Sequence, residues 1–532
     1  MRLVISTVFC FVLVFGKAQE KVWVFFKDKP NVESQFSQPE KYLSALALER
    51  RAKQNIALHP TDFPVEDAYL NEIKNLNISV ERTSKWLNAA SVSVFSQADI
   101  YLLEALPFVK KVTPVKTLKM TEVESFYKTN KSAAASLNYG DTKAQIQQLN
   151  GDFLHDQGYR GQGMTIAVID GGFSDVDLIG GFDSLWMNNR IKTSYDFVDN
   201  DTNVFHLGNH GRSVLSVMGG YIDGVYVGTA PNANYVLLKS ENEGSESKVE
   251  EDNWVAATEF ADSVGADVIN SSLGYNTFDG GVGDYVYSDF DGRTTVVSQG
   301  AVWAHRKGIL VVNSMGNEGS GPWQYMLSPA DVDSILSIGG ADLGNNHVGF
   351  ASIGPTADGR QKPNVSALAA GAFVLTSSNT TTPANGTSFS APLISGLAAC
   401  LWQAGPTLTN YQILELIERS AHQYNNPDML LGYGIPNFAQ AWGSIGVEEN
   451  EGFQNLKVYP VPFGDEMTID GFDENETSVK VSLTNINGTL IETKFHFNNG
   501  KLVIDNLGSL SRGVYVLRLV SNLNSVSFKV IK

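Results

Sequence analysis

The sequence predicts an α/β protein. A parallel sheet with helices on both faces is expected in the middle of the chain, with a small α+β unit before it and an all-β sandwich after it. Three observations lead there. From about Gly151, short apolar runs alternate with longer helical stretches, the pattern of strands buried on both faces and joined by crossover helices. Upstream, strand-like and helix-like segments are interleaved over a length that suits one small unit. Beyond Gly452 the helical pattern ends, and short β-branched runs are separated by Asn-Gly turns. A chain of 532 residues has room for these parts, since domains run to ~150 residues each.

Residues 1–18 read as an export signal. Arg2 gives a positive start, Leu3 to Phe15 an apolar run, and Gly16-Lys17-Ala18 small residues near a cut. The run is too short to span a bilayer well, and Cys10 lacks the small residue that precedes a lipidated cysteine. No other stretch reaches ~18 uninterrupted apolar residues, so a soluble exported protein with no stable membrane span is expected.

Residues 19–120 form the α+β unit, with strands at Val22 to Phe26, Ile78 to Val80, Ala90 to Phe95 and Val109 to Val115. Its helices are expected at Pro39 to Lys53 and Ala98 to Leu106. Residues 121–149 are polar, carry Ala133-Ala134-Ala135, and read as an exposed, easily cut linker. The main domain, 150–446, has apolar runs at Met164 to Ile169, Tyr235 to Leu238, Val268-Ile269 and Ile309 to Val312. Helices are expected over Val214 to Met218, Val249 to Val264, Thr295 to Lys307, Ser390 to Gln403 and Tyr411 to Ala421. In such sheets functional groups gather at the carboxyl ends of the strands. The acidic segment Gly446 to Gly452 links this domain to the β module, 455–532. That module's strands are expected at Lys457 to Tyr459, Ser478 to Leu483, Leu502 to Ile504, Val514 to Val520 and Val526 to Ile531, with turns at Asn487-Gly488 and Asn499-Gly500.

Composition excludes several functions. Thirty-nine basic against fifty-seven acidic residues leave a net charge of −18, which opposes nucleic acid and anionic lipid and reads as solubility. The only cysteines, Cys10 and Cys400, rule out a disulfide framework and a cysteine-based zinc site.

The chemistry begins at Ser388, in Asn385-Gly386-Thr387-Ser388-Phe389-Ser390-Ala391-Pro392. Glycine before it permits close backbone approach, and the proline is read as lying in the first turn of an apolar helix, where its missing N–H costs nothing. A serine at a helix start has free N–H groups and the positive end of the dipole beside it, although taken alone it reads as a cap. It needs a base, and His210 in Gly208-Asn209-His210-Gly211-Arg212 is the candidate. His206 lies four residues earlier, but the pair lacks the glutamate of a zinc helix and contains Gly208. Asp170 ends a buried strand, where a carboxylate persists if hydrogen-bonded, for instance to an imidazole; otherwise it is a turn residue before Gly171-Gly172. Asn317 follows another buried strand between glycines, and its amide suits an oxyanion donor or a turn.

Asp, His and Ser in that order, each bounded by glycine, match one known triad order. Residues 151–446 resemble the subtilisin-like serine proteases of family S8. The resemblance rests on Val168-Ile169-Asp170-Gly171-Gly172, His210-Gly211, Val268 to Gly274, Gly316-Asn317 and Gly386 to Pro392. It implies the fold, a subtilisin-like parallel sheet. It also implies that Ser388 attacks the scissile carbonyl, His210 moves the proton, Asp170 holds the imidazole, and Asn317 with the Ser388 N–H forms the oxyanion hole. Ser272, Leu273 and Gly274 match the strand that pairs with substrate backbone, and Ser314 to Gly316 would wall the first pocket.

Departures are Arg212 where the family has threonine, read as altering local packing or charge preference, Gly171-Gly172 for Ser/Thr-Gly, and Asn364 in Lys362-Pro363-Asn364-Val365. The segment Tyr275 to Val302 is longer than in compact members. Its Asp279, Asp284, Asp289 and Asp291 fit no metal motif and read as a solvated loop, with structural calcium as the alternative. No cofactor is expected for the chemistry.

The N-terminal unit resembles the family's inhibitory propeptide, which implies self-cleavage in the linker and inhibition by its own propeptide. The last module resembles the sorting domain of type IX secretion in Tyr459-Pro460-Val461-Pro462-Phe463, Gly513 to Leu517 and Phe528 to Lys532. That implies the type IX machinery as partner and a secreted or surface location. The expected function is a secreted, self-processing serine endopeptidase acting on proteins and peptides. The alternative is a non-catalytic binding protein on a protease-like scaffold, opposed by the presence of Asp170, His210, Ser388 and Asn317 together.

Overall fold

The computed structural model describes residues 20–115, 137–242, 244–281, 283–445, 456–471, 479–485, 490–491, 493–498, 501–520 and 525–532. The expected signal, residues 121–136 of the expected linker, the acidic link at 446–452 and both Asn-Gly turns lie outside them.

Residues 20–442 and 443–532 fall into two compact units. The first begins with β1 (Glu20–Phe26), α1 (Ala45–Lys53), α2 (Asp67–Asn75), β2 (Ser79–Ser84), β3 (Ala89–Val94), α3 (Gln97–Glu104) and β4 (Val109–Val115). The four strands make an antiparallel sheet in the order β2-β3-β1-β4. Alternation along β1 sorts its side chains by face. Val22, Val24 and Phe26 bury against Ile73 of α2 and Leu103 of α3, while Trp23 turns to the other face against Val249. The helix expected from Pro39 starts later, because Ser44 caps α1 by accepting the N–H of Ala47, and Pro39–Lys41 is a separate 3-10 turn.

The described end of the expected linker is folded. Helix α4 (Lys143–Gln147) joins Leu137, Tyr139 and Ile146 in a buried cluster with Val227, and the Thr142 hydroxyl bonds to carbonyls at Tyr139 and Val227. Apolar residues in a polar stretch had found a partner far along the chain.

The body follows with α5 (Gly151–Asp156), β5 (Thr165–Asp170), α6 (Asp183–Met187), β6 (Ile191–Asp196), α7 (His210–Gly219), β7 (Tyr221–Ile222), β8 (Tyr226–Val227), β9 (Asn234–Lys239), α8 (Lys248–Val264) and β10 (Val268–Ser271). Then come α9 (Val296–Arg306), β11 (Leu310–Ser314), β12 (Leu336–Ala341), β13 (Val365–Leu368), β14 (Ala370–Leu375), β15 (Thr381–Asn385), α10 (Thr387–Ala404), α11 (Asn410–Arg419) and α12 (Phe438–Gly443). Seven strands form a sheet in the order β13-β12-β11-β10-β5-β9-β6, parallel throughout. Trp254, Val255 and Ala261 of α8, with Val297 and Ala301 of α9, cover one face against Ala167, Ile169, Val236 and Ile269. Helices α7 and α10 cover the other, α10 reaching across β10 to β13. This is the subtilisin-like α/β architecture expected from the sequence.

The second unit has β16 (Lys457–Tyr459), β17 (Met467–Asp470), β18 (Lys480–Asn485), β19 (Leu490–Ile491), β20 (Lys494–Asn498), β21 (Lys501–Asp505), β22 (Val514–Val520) and β23 (Ser525–Ile531). Two antiparallel sheets, β16-β17-β21-β20 and β19-β18-β22-β23, share one core of Met467, Ile469, Leu502 and Ile504 with Leu483, Leu517, Leu519 and Val530. Strands β17, β19 and β20 escaped the sequence reading; the alternation in Lys494-Phe495-His496-Phe497 is real, but all of β20 is exposed. Among the described residues no helix is long and apolar enough to cross a membrane.

Candidate active site

Asp170 is the last residue of β5, central in the sheet, with β10 and β9 on its two sides. It is fully buried. The backbone turns sharply after it. Gly172 adopts φ +142°, and a Cβ there would stand 2.1 Å from the carbonyl oxygen of Leu207, so the loop before His210 lies directly on the loop after Asp170. Gly211 completes the fit, since a side chain there would strike the Gly172 carbonyl at 2.4 Å and the Asp170 side chain at 2.9 Å.

His210 is the first residue of α7, which starts earlier than the apolar pattern suggests. Its Nδ1 lies 2.7 Å from Oδ1 of Asp170, which also accepts the N–H of Gly171 at 2.8 Å. A carboxylate facing Nδ1 fixes the proton there and leaves Nε2 as the basic nitrogen. The imidazole is about one-third exposed, its side chain 36% accessible, while its partner is sealed off.

Ser388 is the second residue of α10, and its N–H is among the first four of that helix, which have no intrahelical acceptor. Gly386 precedes it at φ +144°, a conformation that suits glycine. The Phe389 ring sits 6.1 Å from the His210 imidazole, bringing the start of α10 beside the base. Pro392 lies in the second turn, not the first. It cannot donate to the carbonyl of Ser388 four residues back, and that carbonyl instead accepts the Ser272 hydroxyl at 2.9 Å. The proline thus frees an acceptor that ties the nucleophile candidate to the segment after β10.

Asn317 follows β11. Its Oδ1 accepts the N–H of Thr387 at 2.9 Å and the Thr387 hydroxyl lies at 3.2 Å, while the same hydroxyl bonds the backbone of Gly316. With Oδ1 held, Nδ2 is the amide's remaining donor, and a Cβ on Gly386 would come 3.7 Å from it. Thr387 escaped the sequence reading; its signal is a hydroxyl residue directly before the serine.

A cavity of about 820 Å³ is lined by Asp170, His210, Ser272, Leu273, Gly274 and Glu241 among others. Glu241 is buried, and burial pushes its carboxyl up to about 7, although the hydroxyls of Ser240 and Tyr275 donate to it. Ser388 and Asn317 are not in its lining; Ser388 joins it through Ser272.

Arg212 is not among the residues that line this cavity. Its Nη1 donates to Asp175 at 2.9 Å and to the carbonyl and hydroxyl of Ser174, so it braces the loop after Asp170. Those contacts are local packing, the first of the two effects expected of it. All four loop aspartates accept backbone N–H groups: Asp284 that of Phe278, Asp289 that of Val286, and Asp291 those of Arg293 and Thr294. Asp279 accepts the N–H of Glu246. A different trio, Asp196, Asp199 and His206, brings ligand atoms within 4.8 Å of one another, but the Lys239 ammonium already stands 2.8 Å from Asp196 and 3.5 Å from Asp199.

Comparison with known proteins follows this geometry. The model of the subtilase family, Peptidase S8, matches residues 161–434, a Bacteroidota S8 propeptide model matches 21–133, and a secretion-system C-terminal sorting domain matches 457–532. The chain is 28% identical to Subtilisin NAT of Bacillus subtilis subsp. natto over 68% of its own length and 82% of the relative's. It is 30% identical to a subtilisin of Bacillus pumilus over 58% and 99%. The crystal structure of MycP1 from Mycobacterium smegmatis is similar at a TM-score of 0.44 and 23% identity, covering 59% of this chain and 90% of that one.

Proposed function

Because the chain belongs to the subtilase family and is therefore a serine endopeptidase made with a propeptide and exported by its sorting domain, we propose that Asp170, His210 and Ser388 perform its hydrolysis. Ser388 Oγ attacks the scissile carbonyl as His210 Nε2 takes its proton. The developing imidazolium is held by the buried Asp170 carboxylate. The oxyanion is met by the Ser388 N–H and by Asn317 Nδ2, with the α10 dipole behind them. His210 then gives the proton to the leaving amine, and water releases the acyl group from Ser388 by the same path. The observation that carries this reading is the 2.7 Å pair of Asp170 and His210 beside the start of α10. Substrate backbone would pair with Ser272, Leu273 and Gly274, with Gly316 on the opposite wall.

The chemistry runs on side chains and water. Calcium, if bound, would be structural; the trio Asp196, Asp199 and His206 does not suit it, because calcium takes oxygen ligands and the Lys239 ammonium already pairs with both aspartates. The proposed parts are a signal at 1–18, a propeptide at 19–120 that inhibits its own enzyme, a processed segment at 121–149, the peptidase at 150–446 and the sorting domain at 455–532. The fold of residues 137–149 onto the body favours a cut before Leu137. The sorting domain hands the protein to the type IX machinery, for release or surface attachment.

The test compares the chain lacking residues 1–18 with its Ser388→Ala variant by mass spectrometry, in the presence of casein. The wild type should lose its N-terminal segment and degrade casein, and Ser388→Ala should do neither. Casein cleavage by Ser388→Ala would remove Ser388 from the nucleophile's place.

A further inference from the structure

We propose that Leu327 closes the pocket for the residue just before the scissile bond, so that the enzyme cuts after small side chains. The proposal rests on the site assigned above. Two segments leave the sheet on either side of that position: Ser272–Gly274, tied to the Ser388 carbonyl, and Ser314–Gly316, which leads into Asn317. Asn313 stitches them at their base, its Nδ2 donating to the carbonyls of Leu273 at 3.0 Å and Ser314 at 2.8 Å. The gap between the two walls is where a side chain beside the attacked carbonyl has to go.

Leu327 occupies that gap. Its N–H donates to the carbonyl of Met315 at 3.0 Å, on one wall. The next residue, Ser328, exchanges backbone hydrogen bonds with Tyr275 at 2.9 and 3.2 Å, at the end of the other. The side chain lies between the two glycines. A Cβ on Gly274 would be 2.5 Å from the Leu327 Cβ, and one on Gly316 would be 2.8 Å from its Cγ. Leu327 therefore fills the space that the two glycines leave open, and its backbone is fixed to both sides. It is half-buried, neither sealed in the core nor free in solvent. An aromatic or long aliphatic substrate side chain would have to displace a tethered leucine, whereas alanine, serine or glycine fits above it.

The experiment uses the matured enzyme, with active sites counted by a serine-directed phosphonate. It measures kcat/KM on two peptides that differ only in alanine or phenylalanine before the cut. Wild type should favour alanine by about 100-fold, in the range a pocket's volume can enforce. Leu327→Gly should raise the phenylalanine-to-alanine ratio by about 100-fold, and Leu327→Ala by a smaller factor in the same direction. The ratio is taken per labelled site, so partial misfolding of either variant does not imitate the effect. Normal labelling with an unchanged ratio in both variants would overturn the role of Leu327 alone. Failure of the wild type to label, or to cut either peptide, would overturn the site assignment and this proposal with it.

Discussion

The two ends of helix α8 meet the N-terminal unit with buried carboxylates whose pKa values are shifted in opposite directions. Near the start, Asp252 accepts the Trp23 indole N–H at 2.5 Å. Burial pushes this carboxyl up to about 7, and the indole offsets only part of that. At the far end, Asp262 is just as buried. Burial raises it too, but Lys85, Arg50 and Arg51 outweigh burial and bring it to about 2. Arg51 also reaches Asp62 at 2.6 Å, and Lys307 completes that network at 2.9 Å from Asp62. The lesson is that burial alone does not decide a carboxylate's charge. Cations delivered from α1 and from the turn between β2 and β3 decide it.

The largest effect should come from breaking the charged end. Asp262→Ala leaves Arg50 and Arg51 buried without their main partner, and should cost about 3–5 kcal/mol. Urea unfolding of chains that also carry Ser388→Ala, and so stay uncut, would read it; a loss near zero would mean the network is solvated. At the end where the carboxyl is raised, Trp23→Phe removes the one indole donor to Asp252 and should cost about 1–3 kcal/mol in the same assay.

The two ends should also respond oppositely to pH. Asp252 has a raised pKa when docked, so its contribution is fully present below its ordinary value of 3.8 and is lost as pH rises through about 7. Asp262 has a lowered one, so its contribution holds above 3.8 and is lost as pH falls toward 2. After self-cleavage, retention of the N-terminal unit should weaken by up to about tenfold per pH unit between ~4 and ~7. Size-exclusion of the processed protein across that range would show it, and Asp252→Asn should flatten the profile. The smallest effect is expected from Arg82→Ala. Arg82 donates to Asn253 at 3.2 Å and to the Phe197 carbonyl at the partly exposed edge, and its loss should cost about 1 kcal/mol.

Much of the site was legible because its residues sit in short, rigid contexts. Asp170 at a strand end and Ser388 at a helix start are local facts, and glycine beside each marks a close approach. The contacts that orient them were less legible. Thr387 clamps Asn317 across 70 residues and Ser272 reaches Ser388 across 116. Pro392 was visible in the sequence, yet its effect depends on counting the helix from Thr387, and that boundary is set by Gly386. Residues 137–149 looked like linker because their apolar side chains are few, and only Val227 shows what they cover.

The sequence by itself determined the alternation of buried strands and helices and the order of Asp, His and Ser along the chain. Periodicity and backbone chemistry act over a few residues, so they can be read there. Tertiary structure decided the rest: which way each carboxylate against the N-terminal unit is shifted, what Arg212 binds, and that Leu327 stands between Gly274 and Gly316. Each depends on a partner brought close in space by the parallel sheet, whose crossovers set residues distant in the chain side by side.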